Sequence, residues 1–258
     1  MGYFEVKGLC KSFGGLKAID DLSFEVKEKE IFSIIGPNGA GKSTVFNCIN
    51  GLYKPEQGSI KFKGEELIGK RSDQIANLGV ARTFQNIELF SHMTTLDNIM
   101  LGRHKAMRSS VFSVMGLSFK RSKAAKEELT HRRKVEEIID FLELESYRMQ
   151  YVANLPYGKQ KLVELGRALA LEPDILLLDE PAAGLTQEEK DEMIFWIKDI
   201  RKLLGITIIF IEHNMQMVKK ISDRILAINF GKKLTEGLPN DVLDHPEVLR
   251  AYLGEVVE

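Results

Sequence analysis

An α/β fold organised around a phosphate-binding loop is what this sequence predicts, and three observations carry the prediction. The first is Gly36-Pro37-Asn38-Gly39-Ala40-Gly41-Lys42-Ser43-Thr44, which fits the pattern G-x-x-x-x-G-K-[ST]. The second is its context, with the apolar, β-branched run Ile31–Ile35 before it and a helical pattern over Thr44–Asn50 after it. The third is a pair of further apolar runs that end in polar chemistry. Ile175–Leu178 ends in Asp179-Glu180, and Ile206–Ile211 ends in Glu212-His213. Runs of this kind suit strands buried on both faces. In open α/β sheets, ligands bind at the C-terminal ends of such strands.

The loop has a physical logic of its own. A strand feeding a glycine-rich turn that opens a helix aims several backbone N–H groups at one point, and the helix N-terminus adds its positive end there. Lys42 can reach outer phosphates and the Ser43 hydroxyl can hold Mg²⁺. Two adjacent acids alone carry little weight. Placed after an all-apolar strand and downstream of a phosphate loop, Asp179-Glu180 mark where a metal-holding carboxylate would meet that loop. His213, at a corresponding strand end, joins them.

Composition bounds the rest. The 258 residues are 44% hydrophobic and 28% charged, with a net charge of −1. That balance points to no nucleic-acid partner and no anionic membrane surface. Cys10 and Cys48 have neither metal-ligand nor redox spacing and read as reduced thiols. The N-terminus lacks signal-peptide order. No run approaches the roughly 20 apolar residues of a membrane helix, so no direct membrane span is expected.

In chain order, Tyr3–Lys7 and Leu22–Val26 alternate apolar with polar residues, the period of half-buried antiparallel strands. Between them, Ser12–Gly15 reads as a turn carrying Phe13. Glu56–Gly58 reads as a second turn before the alternating Ser59–Gly64. Ile75–Val80 leads toward Gln85, and Thr94 or Thr95 caps a helix over the following residues. In the segment Arg103–Leu129, the apolar patch Val111–Phe119 is too short to span a bilayer. A partner, a lipid surface or packing can each account for it, with packing favoured because apolar stretches are usually buried. Lys120–Lys134 merges into a helix whose Val135, Ile138, Ile139 and Leu142 share one face. Leu155–Gln160 opens another helix, and Gln187–Leu203 forms one that stops at Gly205. Met215–Ser222 is a short helix, a hairpin turns around Gly231, and the tail is helical from Asn240.

The order of phosphate loop, Gln85, the short glycine-containing segment Leu155–Gln160, Asp179-Glu180 and His213 resembles the ATP-binding-cassette ATPases over nearly the whole chain. The resemblance implies a P-loop NTPase fold in one cassette spanning 1–258. It would have a RecA-like core, an antiparallel β subdomain and a helical signature subdomain at about 87–165. It implies two cassettes closing head to tail around two ATP molecules. By that resemblance Phe13 stacks on adenine, and Lys42 with the loop amides holds phosphates. Ser43 and Gln85 ligate Mg²⁺, with Asp179 holding it through water. Glu180 polarises the attacking water and His213 contacts the γ-phosphate. Leu155, Pro156, Tyr157, Gly158 and Gln160 face the ATP of a second ATPase subunit. Asn86–Leu101 lies where the family docks an integral membrane permease.

Two departures narrow the resemblance. The common signature L-S-G-G-Q has Pro156 and Tyr157 in place of Ser and the first Gly, and Lys159 at the Gln position. The residues after Pro181 are Ala182-Ala183-Gly184-Leu185-Thr186. Both, with the long Arg103–Leu129 segment and the ending Arg250–Glu255, are similar to the subgroup that energises branched-chain amino-acid importers. The expectation is therefore a cytoplasmic ATPase, peripheral on the inner face of the cell membrane. Urea and short-amide importers, a lipopolysaccharide exporter and a soluble switch ATPase are the alternatives.

Overall fold

A computed structural model of the chain describes residues 2–84, 87–104 and 118–253. The chain divides into two units, Met1–Gln85 with Asp174–Glu258, and Asn86–Pro173.

The first unit holds two sheets. The smaller is antiparallel and takes β1 (Phe4–Phe13), β2 (Leu16–Val26), β4 (Gln57–Phe62) and β5 (Glu65–Glu66) in the order β2-β1-β4-β5. Its period-2 pattern buries Phe4 and Val6 opposite Val26 and Phe24, as the alternation requires. The strands run further than the alternation indicates, because β1 continues past a register shift to Phe13. Gln57 and Gly58 belong to β4 rather than to a turn. Gln57 pairs with Cys10, and the Glu56 N–H donates to the Cys10 carbonyl at 2.9 Å. A partner 47 positions away in the chain thus overrides the local turn signal.

The larger sheet adds β3 (Ile31–Ile35), β6 (Val80–Arg82), β7 (Ile175–Asp179), β8 (Thr207–Ile211), β9 (Arg224–Asn229) and β10 (Lys232–Gly237). Its order is β10-β9-β3-β8-β7-β6, parallel except at the β9–β10 hairpin. Every residue of β3, β7 and β8 is buried. This is why their sequences are continuous apolar runs. Ile211 pairs with both Ile34 and Asp179, so the C-terminal ends of these three strands lie side by side. The loops that follow β3, β7 and β8 therefore emerge together at one end of the sheet.

Helices α1 (Lys42–Ile49), α2 (Ser72–Asn77), α6 (Gln187–Leu204), α7 (Met215–Ile221), α8 (Pro239–Leu243) and α9 (Pro246–Leu253) complete this unit as described. The α6 start is a capping box, with Thr186 and Glu189 each accepting from the other's backbone N–H. The tail is two short helices rather than one, broken ahead of Pro246.

The second unit is built on α3 (Thr95–Arg103), α4 (Ser118–Phe141) and α5 (Tyr157–Leu169). Thr94, not Thr95, is the cap of α3, accepting from the Asp97 N–H at 3.1 Å. Val135, Ile139 and Leu142 are fully buried, so the apolar face of α4 is the packed one. At its centre Arg103 is buried. It donates to His131 Nδ1 at 3.2 Å and to the Ala170 carbonyl at 2.7 Å, and it pairs with Glu172 at 2.8 Å. The Val111–Phe119 patch lies outside the described residues, apart from the backbone at the start of α4.

Candidate functional site

The phosphate loop leaves β3 and enters α1 at Lys42, two residues earlier than the sequence pattern indicates. Gly41 makes that entry possible. Its φ is +104°, and a Cβ there would sit 2.4 Å from the Ala18 carbonyl oxygen of β2. A side chain would be both strained and blocked. Lys42 is folded back into the loop, where Nζ donates to the Gly36 carbonyl at 2.7 Å and the Pro37 carbonyl at 3.0 Å. Burial holds the Lys42 ammonium below its ordinary pKa, an effect opposed by the Glu180 and Asp179 carboxylates.

Around the loop lies a pocket of about 470 Å³. Asn38–Thr44 form its floor, Phe13, Leu16, Lys17 and Ala18 come from the β1–β2 hairpin, and Glu180, His213 and Phe230 complete the lining. The parallel sheet explains the convergence, since Glu180 and His213 follow adjacent strands. His213 Nε2 is 3.0 Å from Glu180 Oε1. Glu180 has φ +48°, a left-handed conformation for a residue with a Cβ, and its N–H donates to the Ile211 carbonyl at 2.9 Å. Strain of this kind persists where surrounding structure over-determines it, and it clusters at functional sites.

Asp179, the last residue of β7, is buried. Its Oδ2 accepts from Arg82 at 2.7 Å, and its Oδ1 is buried without a hydrogen-bond partner among the described residues. An orphaned carboxylate oxygen is what an ion or its water shell would satisfy. The Ser43 hydroxyl is exposed in the pocket. Among the described residues no group of three His, Cys, Asp or Glu could hold a metal alone. The donor set of one carboxylate and one hydroxyl instead fits Mg²⁺, which keeps few protein ligands and takes the rest from phosphates and water.

Phe13 lines the pocket and is 44% exposed, packed edge-on against Tyr53 at 5.1 Å, so it is not a core phenylalanine. In the second unit, Leu155 is buried and α5 starts at Tyr157 with Pro156 at the cap. Pro156 thus stands one position before the first helical turn, and its carbonyl accepts from the Gln160 N–H at 3.0 Å. The Gln160 side chain donates to the Leu155 carbonyl at 2.9 Å, while Tyr157 is exposed. Gln85 lies outside the described residues.

Residue pattern assigns no role to three residues at this end of the molecule. Arg82 reaches both Asp179 and the Asn47 side-chain oxygen of α1, each at 2.7 Å. The Glu212 carboxylate is buried and accepts from the N–H groups of Ala182 at 2.8 Å, His213 at 3.0 Å and Asn214 at 3.2 Å, tying the loop after β7 to the loop after β8. Its one sequence signal is an acid beside His213 at the end of a buried strand. Phe230, the third, carries no such signal.

A phosphate loop, a strand-end glutamate and a histidine around one pocket, with a buried aspartate just before that glutamate, define an ATPase of the cassette class. The chain belongs to that family, since the "ABC transporter" family matches residues 19–183. A further match, "Branched-chain amino acid ATP-binding cassette transporter", covers 232–258. The chain is 42% identical over 250 residues to the high-affinity branched-chain amino acid transport ATP-binding protein LivG of Salmonella typhimurium, covering 97% of each. It is 41% identical over 256 residues to BraF of Pseudomonas aeruginosa, again covering 97% of each. A crystal structure of a nucleotide-free ATP-binding cassette from an ABC transporter superposes with a TM-score of 0.85 at 31% identity. It covers 99% of this chain and 100% of that one. A structure of an ATP-binding cassette of an ABC transporter in its ADP conformation gives 0.84 at 28%, with the same coverage. The expected α/β nucleotide-binding cassette and ATPase chemistry hold. Among the described residues no helix is long and apolar enough to cross a membrane.

Proposed function

We propose that this chain hydrolyses ATP on the inner face of a cell membrane to drive an importer of branched-chain amino acids. The observation that carries the chemistry is the Glu180–His213 pair in one pocket with the Lys42 loop. The solute is inferred from the similarity to LivG and BraF along the whole chain.

In this reading Lys42 and the loop amides bind the phosphates, and the α1 N-terminus adds its positive end. Ser43, Gln85 and, through water, Asp179 would hold Mg²⁺, which would supply charge neutralisation for the phosphates. Glu180 Oε1 orients the attacking water and accepts its proton. His213 Nε2, held at Glu180, turns toward the terminal phosphate. Little covalent chemistry is asked of the protein, because phosphoryl transfer depends mainly on positioning and electrostatics. Residues of about 87–165, within the unit Asn86–Pro173, serve as the helical subdomain, presenting the segment from Leu155 to Gln160 to a second cassette. The residues after Gln85, including the exposed Phe90, receive a permease subunit.

The test is reconstitution with the cognate permease and binding protein in liposomes. ATP-dependent uptake of leucine, isoleucine or valine, abolished by Glu180→Gln, is expected. Uptake of urea or short amides in their place would overturn the solute, and ATPase activity that never couples to uptake would overturn transport.

A further inference from the structure

Among the large apolar side chains of the described residues, Phe230 is the most exposed at 81%. It stands at the tip of the β9–β10 hairpin with φ +46°. Left-handed backbone is a genuine outlier for a bulky residue, and turns normally give the position to Gly or Asn. An exposed ring in that conformation therefore gains nothing from burial and is unfavourable for the backbone. Yet Phe230 is one of the residues lining the pocket around the phosphate loop.

Two backbone hydrogen bonds set where the tip stands. The Gly231 N–H donates to the Ala40 carbonyl of the phosphate loop at 2.9 Å, and the Asp20 N–H of β2 donates to the Gly231 carbonyl at 3.0 Å. The contact is close, for a Cβ on Gly231 would lie 2.7 Å from the Ala18 carbonyl oxygen. The tip is thus fixed to the loop on one side and, on the other, to the strand whose start carries Leu16. Leu16 is 70% exposed and Phe13 44% exposed, and both line the same pocket. Three exposed apolar side chains from two hairpin turns line one opening, while the floor carries the phosphate loop. Such an opening suits a ligand that is anionic at one end and flat and apolar at the other. Isolated exposed apolar residues need no explanation, but a group lining a pocket does.

Resting on the reading of this pocket as the ATP site, we propose that Phe230 is a nucleobase-binding residue, a second aromatic surface for the adenine of ATP alongside Phe13. The left-handed backbone at the tip is the conformational cost of presenting the ring there.

The experiment is titration of the purified full chain with ATP and, separately, with inorganic tripolyphosphate, together with melting of the ligand-free protein. Wild type, Phe230→Ala, Phe230→Trp and Phe230→Asn are compared. Phe230→Ala is expected to weaken ATP binding about five- to tenfold, the size of one base–aromatic contact, and to leave tripolyphosphate unchanged. Phe230→Trp is expected to bind ATP as wild type does. Phe230→Asn, which suits left-handed backbone, is expected to melt no lower than wild type and still to bind ATP as weakly as the Ala variant. The proposal is overturned if Phe230→Ala binds ATP like wild type, if ATP and tripolyphosphate weaken together, or if Phe230→Asn melts lower. Failure of wild type to bind either ligand would overturn the pocket reading itself, a result distinct from all of these.

Discussion

The Arg82 guanidinium donates to Asp179 Oδ2 at 2.7 Å, and the two side chains are only 5% and 4% exposed. The same guanidinium lies over the Phe46 ring at 5.6 Å and the Phe84 ring at 5.0 Å. It thus joins α1, β6 and β7 at the C-terminal end of β7, where Asp179 stands. Removing one member leaves a buried charge unpaired, which costs about 3–5 kcal/mol. Arg82→Met should destabilise the chain by that amount. The double change Arg82→Met with Asp179→Asn should recover much of it. Denaturant melts of the four proteins in this cycle check the coupling, and additive losses would show that the pair is not the source.

Glu180→Gln keeps the size of the side chain and its contact with His213 while removing the carboxylate. ATP binding should stay within a few-fold of wild type, and hydrolysis should fall on the order of 10²-fold or more, as for other losses of general-base help. Lys42→Ala should differ by weakening nucleotide binding itself, because its Nζ organises the loop through Gly36 and Pro37. Binding and single-turnover measurements on the same preparations separate the two effects.

Phe13 packs edge-on against Tyr53 and faces the pocket. Phe13→Ala should weaken ATP binding by about 1 kcal/mol, while Phe13→Trp changes it little. Neither should much alter the melting temperature without nucleotide, since the ring is only partly buried. A large loss of ligand-free stability for Phe13→Trp would return Phe13 to a packing role.

Pro156 caps α5 without a hydroxyl or an N–H to offer a phosphate. A charge-assisted hydrogen bond of that kind is worth about 1.5–3 kcal/mol. Weak ATP-driven dimerisation is therefore expected of the Glu180→Gln protein, and Pro156→Ser should tighten it, because Ser is also a favoured cap. Sedimentation with ATP and Mg²⁺ reads the result. A parent that already dimerises tightly and gains nothing from Ser would sink this account.

Both cysteines are free, and Cys48 is buried in α1, where burial pushes its thiol up to about 11. Native protein at neutral pH should therefore be alkylated at Cys10, with Cys48 reacting only on unfolding. Between about pH 9 and 11 the unfolded chain releases the Cys48 proton while the native chain keeps it. The contribution of this group to stability therefore falls as pH rises through that window. Reagent mapping by mass spectrometry and melts across that range check both statements.

The sequence alone determined the chemistry that occupies short, continuous windows. The loop from Gly36 to Thr44 is nine adjacent residues, and β3, β7 and β8 are apolar runs because both faces of each strand are buried. Their polar ends, at Asp179-Glu180 and Glu212-His213, were legible for the same reason. The extent of β4 and the split of the tail were not, because pairing with Cys10 and the break before Pro246 compete with the local pattern. Only the tertiary structure decided that Arg82 holds Asp179 across 97 positions, that Glu212 ties two loops together, and that Phe230 stands at the mouth of the pocket. Those contacts depend on strand order and register. A sequence window encodes the period of its own strand or helix, but not which distant strand will lie beside it or which side chains will meet there.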